Sequence, residues 1–156
     1  MSDSSNGQRQ RWGVVLVALQ FALLLALAAM AGSRFVNVGI GWASGALALL
    51  SALLGIWTLA HNRLGNFNIR PAPKAGGVLV TSGPYQWIRH PMYTSVLLGA
   101  AAMAALAATA LAWSAWLALA GVLSVKALLE ERWVAQHHPA YTAYCQQSKR
   151  FIPGVF

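Results

Sequence analysis

The chain has 156 residues, of which 58% are hydrophobic and 9% charged, and it carries a formal net charge of +8. Soluble domains place charge on about a quarter of their residues, so this composition excludes an ordinary water-soluble globule and implies one integral membrane domain. The positive excess suits the basic side of a membrane protein rather than nucleic acid, since no basic stripe interleaved with aromatics lies on a polar module, and the single cysteine, Cys145, excludes an intramolecular disulfide.

Residues 1–11 are polar and expected to be a mobile tail. Residues 14–31 form an apolar run of about the 20 residues that span a hydrocarbon core. Arg9 and Arg11 before it and Ala29-Met30-Ala31 at its end imitate a signal peptide and its cleavage site. Its length exceeds the usual apolar region of such peptides, about 7–15 residues, so a retained span is expected. Residues 38–60 form a second span. Gly41, Gly45, Ser51 and Gly55 on it read as small residues that let helices approach closely. The boundary at residue 60 separates an N-terminal tail with two packing spans from a remainder, 61–156, that holds the chemistry.

Residues 61–90 are polar and rich in Gly and Pro, which rules out one regular helix. Residues 78–81 are briefly extended, and Ser82-Gly83-Pro84 turns the chain. A connection this long is uncommon unless functional. Residues 92–129 are apolar throughout. As one helix of 1.5 Å per residue they would reach about 57 Å, too long for a core of about 30 Å, so they must fold into a hairpin with its bend near Ala108–Ala110. An amphipathic helix over 126–144 follows, broken near Pro139. The whole reads as an all-α membrane bundle of about four spans with a C-terminal amphipathic segment.

Four spans put both termini on one side, together with every Lys and Arg except Arg34. That asymmetry marks the side as cytoplasmic and predicts an inner or plasma membrane protein. The tryptophans, 12, 42, 57, 87, 113, 116 and 133, fall near the predicted interfaces, as an aromatic belt requires. The polar block 79–93, LVTSGPYQWIRHPMY, and the acidic pair Glu130-Glu131 then face the same compartment and can form one site.

Two readings of that block stand side by side. Tyr85, Arg89, His90 and Tyr93 could anchor the interface, or they could grip a flat ring while backbone N–H groups at the helix start meet an anion. Lys126 and Glu130, one turn apart, could form a weak i,i+4 pair or hold an anion and a cation of a ligand. His137, His138 and Cys145 lack the spacing of a metal site, and neither a dinucleotide fingerprint nor a nucleophile elbow is present.

The order and spacing of Leu79-Val80-Thr81-Ser82-Gly83-Pro84-Tyr85, Arg89-His90-Pro91-Met92-Tyr93, Glu130-Glu131, Tyr141, Tyr144 and Phe151-Ile152-Pro153 resemble the isoprenylcysteine carboxyl methyltransferase family, whose core membrane phospholipid methyltransferases share. The resemblance implies S-adenosylmethionine as cofactor and a lipid-like or prenylcysteine-like methyl acceptor, with the bilayer as the surrounding partner and no nucleic acid. It implies a cofactor site on Gly77, Val78, Leu79, Val80, Tyr85, His90, Pro91, Met92, Tyr93 and Glu130. Lys126 stands where the prenylcysteine enzymes hold the substrate carboxylate with Arg, and it lacks that bidentate fork. His138-Pro139 replaces the usual Phe-Gly. An NADPH-dependent lipid or sterol reductase is the alternative resemblance, but there Asn follows R-H-P where this chain has Met92. A non-enzymatic membrane protein retaining the fold is the third reading.

Overall fold

The computed structural model describes residues 2–62, 79–137 and 139–155. Among the described residues five helices follow in chain order: α1 (Ser2–Val38), α2 (Trp42–His61), α3 (Pro91–Ala107), α4 (Ala110–His137) and α5 (Tyr141–Gln147), with a 3-10 turn at Gly83–Gln86 ahead of α3. Among the described residues there is no strand, only a parallel bridge between Ile88 and Lys149. The expected helical membrane bundle is present. Helices α1, α2 and α4 contain segments long and apolar enough to cross a membrane. Helix α3, with 17 residues, is a shorter apolar helix of about 26 Å.

Helix α3 is the hub of the bundle, packing against α1, α2 and α4, and α1 also lies along α4. The core is Leu27 of α1, Ala100, Ala104 and Ala107 of α3, and Ala112, Leu119 and Leu123 of α4. A central helix lined with alanine brings its neighbours close, which supplies the van der Waals contact that holds helices together where lipid competes for apolar surface. The outward leucines, among them Leu25, Leu53 and Leu117, are exposed, as they are on helices solvated by hydrocarbon.

Between α2 and α3 the small residues do specific work. Ser51 Oγ donates to Ser95 O at 2.7 Å and Ser95 Oγ donates back to Ser51 O at 2.9 Å. A Cβ at Gly55 would stand 2.9 Å from Ser95 Oγ, and one at Gly99 would stand 3.0 Å from Ser51 Oγ. The expected packing face is therefore realised at Ser51 and Gly55. Gly41 and Gly45 have no such role: Gly41 caps α2, and a Cβ at Gly45 would meet only the nearby Ile40.

The first connection lies later than the apolar runs suggest. Helix α1 continues through Gly32, Ser33 and Arg34 to Val38, and it also reaches back to Ser2. Ser33 Oγ bonds Met30 O and Asn37 Nδ2 bonds Ser33 O, so these polar side chains satisfy themselves on the helix without breaking it. The turn comes at Gly39, whose φ of +78° suits glycine. The second bend falls where length required it, at Ala108, which takes the left-handed conformation at φ 53°. Helix α4 then runs unbroken through the glutamate pair, and the chain turns at Pro139 before α5.

Substituting Gly55→Leu overpacks the α2–α3 contact and breaks the reciprocal serine bonds, at a cost of about 1–3 kcal/mol. Thermal unfolding in detergent should show a lowered Tm, whereas Gly121→Leu, at an exposed position with nothing within 4 Å of its Cβ, should leave Tm in place.

Candidate functional site at one end of the bundle

The site begins where the long connection re-enters the described chain. Leu79 and Val80 are half-buried and irregular. At Gly83, φ is +61° and a Cβ would come within 2.4 Å of the His61 ring, so glycine lets the chain pass against the end of α2. The 3-10 turn follows, and Trp87 packs on Trp57 with ring centroids 5.6 Å apart. Residues 87–90 then run beside the C-terminal segment. Lys149 N donates to Trp87 O, Arg89 N to Lys149 O and His90 N to Arg150 O, at 2.9, 2.7 and 3.1 Å. Pro91 opens α3 without losing a helical donor, and Thr94 Oγ1 ties the helix to Phe151 O at 3.0 Å.

The two glutamates of α4 part company here, because neighbours on a helix point about 100° apart. Glu131 faces the joined segments. Its Oε1 accepts from Arg89 Nε at 2.9 Å and Arg150 Nε at 3.1 Å and lies 3.2 Å from His90 Nε2, while its Oε2 accepts from Arg150 Nη2 at 2.8 Å. Arg89 Nη1 also donates to the carbonyls of Cys145 and Ser148. Glu130 instead faces α3: Tyr93 Oη donates to it at 2.8 Å, and His90 Nδ1 lies 3.4 Å from its other oxygen. Its side chain is 24% exposed against 13% for Glu131, so Glu130 is the more reachable carboxylate.

Rings of His90 and Tyr93 stack 5.4 Å apart and within 5° of parallel, and Phe151 lies 5.9 Å from the imidazole. Lys126, one turn before Glu130, is buried. Its Nζ donates to Gln20 Oε1 of α1 at 2.6 Å and lies 5.1 Å over the Tyr93 ring. Tyr144 Oη bonds Tyr85 O at 2.6 Å, fixing α5 to the turn.

Electrostatics follow from this packing. Burial works against a charge on His90, but its hydrogen bonds to Glu130 and Glu131 outweigh it and raise the imidazole pKa above its ordinary 6.5. Burial, then Tyr144 and Glu130, push the Tyr85 phenol up to about 12, so it stays a neutral donor. Hydrogen bonding to Glu131 holds the Arg150 guanidinium above its usual range.

Of the residues singled out in the sequence, His90, Pro91, Met92, Tyr93, Lys126 and Glu130 come together where α3 begins beside α4, with Tyr85 in the adjoining turn. Gly77 and Val78 lie outside the described residues, as does His138. The cofactor residues that the resemblance implied do not include Glu131, Arg89 or Arg150, although these three tie this end of the bundle together. Sequence reasoning also missed Gln20, whose signal was an amide in the middle of an apolar run, a placement that calls for a partner on another helix. Among the described residues no group of three or more His, Cys, Asp or Glu is placed to hold a metal ion. His90 turns its two nitrogens to different carboxylates.

A sequence profile of the isoprenylcysteine carboxyl methyltransferase (ICMT) family matches residues 44–137. The chain is also similar to the cobalt-zinc-cadmium resistance protein CzcN of Cupriavidus metallidurans, 33% identical over 149 residues. That alignment takes in 94% of this chain and 65% of the relative's length.

Two outcomes are expected of the charge cluster. Glu131→Ala leaves Arg89 and Arg150 without their shared carboxylate, a loss on the order of 3 kcal/mol; trypsin should then cut at Lys149 and Arg150 under conditions where the native protein resists. Because the folded pKa of His90 is raised, its stabilisation is complete below the ordinary 6.5 and is lost as pH rises through the higher folded value. The Tm difference between wild type and His90→Gln should therefore be largest in mildly acidic buffer and shrink towards alkaline pH.

Proposed function

The chain belongs to the isoprenylcysteine carboxyl methyltransferase family, a family of membrane methyltransferases, and from that premise we propose that it transfers a methyl group from S-adenosylmethionine to a lipid-like acceptor at the cytoplasmic surface of an inner or plasma membrane. The observation that carries the reading is the division of labour between two adjacent carboxylates. Glu131 is engaged by three basic side chains, whereas Glu130 meets a phenol and an imidazole edge and is the more exposed of the two.

The residues fit the cofactor's chemistry. S-adenosylmethionine carries an ammonium and a sulfonium, and when bound it supplies a methyl group that an electron-rich acceptor takes by in-line displacement. Glu130 would hold a cationic or hydroxyl group of the cofactor, oriented by the hydrogen bond from Tyr93. Backbone N–H groups of the first turn of α3, which no side chain caps, would meet the cofactor carboxylate. Leu79, Val80, Tyr85, Pro91 and Met92, with Gly77 and Val78, would complete the walls. Lys126, buried beside Tyr93, is the positive group that would meet an anionic part of the acceptor.

Little acid–base help is required of the chain, because the reactive group belongs to the cofactor and the protein supplies position and electrostatics. Holding acceptor and methyl donor in line turns their encounter into an intramolecular step. An apolar acceptor would enter from the lipid side, while the cofactor would enter from water at the polar end. The relative's name concerns resistance to cobalt, zinc and cadmium; the diverging nitrogens of His90 give less support to direct metal binding in this chain than to the cofactor reading.

Calorimetry on the detergent-purified protein should register S-adenosylmethionine binding and none for NADPH. Removing a charged hydrogen-bond partner costs about 1.5–3 kcal/mol, so Glu130→Gln should weaken binding about 10- to 100-fold while Tm stays within a few degrees. Undiminished binding in that variant would remove Glu130 from the site.

A further inference from the structure

Gln20 lies outside residues 44–137 that match the family profile, on a helix whose sequence offers no other polar side chain between Gly13 and Gly32. It is nonetheless buried, and its Oε1 accepts from Lys126 Nζ at 2.6 Å. An amide inside an apolar span is costly unless it finds a partner, and here the partner is a buried amine one turn from Glu130. The contacts continue in a line: Gln20 fixes Lys126 Nζ, which lies 5.1 Å over the Tyr93 ring, and Tyr93 Oη bonds Glu130 at 2.8 Å. Three helices, α1, α4 and α3, are joined by this line. An ammonium over an aromatic face restrains the ring, more strongly when both are desolvated.

We propose that Gln20 is a positioning residue of the site: acting through Lys126, it fixes the Tyr93 ring and thereby the orientation of Glu130, so that α1 is a working wall of the cofactor site and not only a packing span. The inference rests on the functional reading above. It predicts that Gln20→Leu, an apolar change suited to a membrane helix, weakens S-adenosylmethionine binding about five- to tenfold. Gln20→Glu, which keeps an acceptor for Lys126 at the same length, should stay within about twofold of wild type.

Calorimetric affinities for S-adenosylmethionine would be measured for wild type, Gln20→Leu, Gln20→Glu, Lys126→Met and the double variant Gln20→Leu/Lys126→Met. If Gln20 acts through Lys126, the double variant binds no more weakly than Lys126→Met alone. Wild-type affinity in Gln20→Leu, or losses that multiply in the double variant, would overturn the proposal. If the wild-type protein itself binds no S-adenosylmethionine, that result counts against the functional reading, and the positioning claim is decided by the lysine amines. With 15N-lysine in the detergent-solubilised chain, the side-chain signals belong to Lys74, Lys126 and Lys149. A Lys126 signal protected from solvent exchange in wild type and lost in Gln20→Leu supports the contact; a Lys126 signal that Gln20→Leu leaves unchanged overturns it.

Discussion

A carboxylate removed from water costs several kcal/mol unless its charge and its lone pairs are matched. Glu131 meets that condition by drawing Arg89, His90 and Arg150 onto one pair of oxygens. These partners come from the segment before α3 and from the C-terminal segment, which are far apart in the chain. The charge requirement therefore becomes a topological one. The two segments must run side by side for Glu131 to be satisfied, and the backbone bonds between residues 87–90 and 149–150 follow. Thr94, His90 and Phe151 then tie the start of α3 to the C-terminal segment. Glu131 shares this placement with the bond from Tyr144 Oη to Tyr85 O and with the buried ring of Phe151.

The bundle treats its polar side chains in two ways. Within α2 and α4, hydroxyls such as Ser44, Thr58, Ser114 and Ser124 return their hydrogen bond to a carbonyl of their own helix or its cap. The pair Ser51 and Ser95 and the indole of Trp116, which donates to Leu97 O at 2.9 Å, reach across and fix one helix against another. In hydrocarbon, where apolar surface alone does not choose a partner, such crossings set register.

What the sequence made legible was what depends on local length and composition. The apolar spans and the hairpin within residues 92–129 follow from how much apolar chain a bilayer accommodates, and Ala108 bends where that argument required although no Gly or Pro marks it. Helix α1 runs past the end of its apolar stretch because Ser33 and Asn37 are satisfied along the helix. The residues of the polar block and Glu130 could be grouped from their order. The scaffold of Arg89, Glu131 and Arg150, and the contact of Gln20 with Lys126, depend on pairings over long separations that no local pattern carries.

Glu130 and Glu131 are chemically identical, and only helical phase separates the residue that holds the scaffold from the one that stays reachable. That phase is pegged above by Trp116 on Leu97 and below by Tyr93 and the arginines. Inserting or deleting one residue of α4 between those pegs would rotate everything beyond it by about 100° and offer the wrong carboxylate to each set of partners. The interior of α4 thus behaves as a ruler whose length in residues is part of the site.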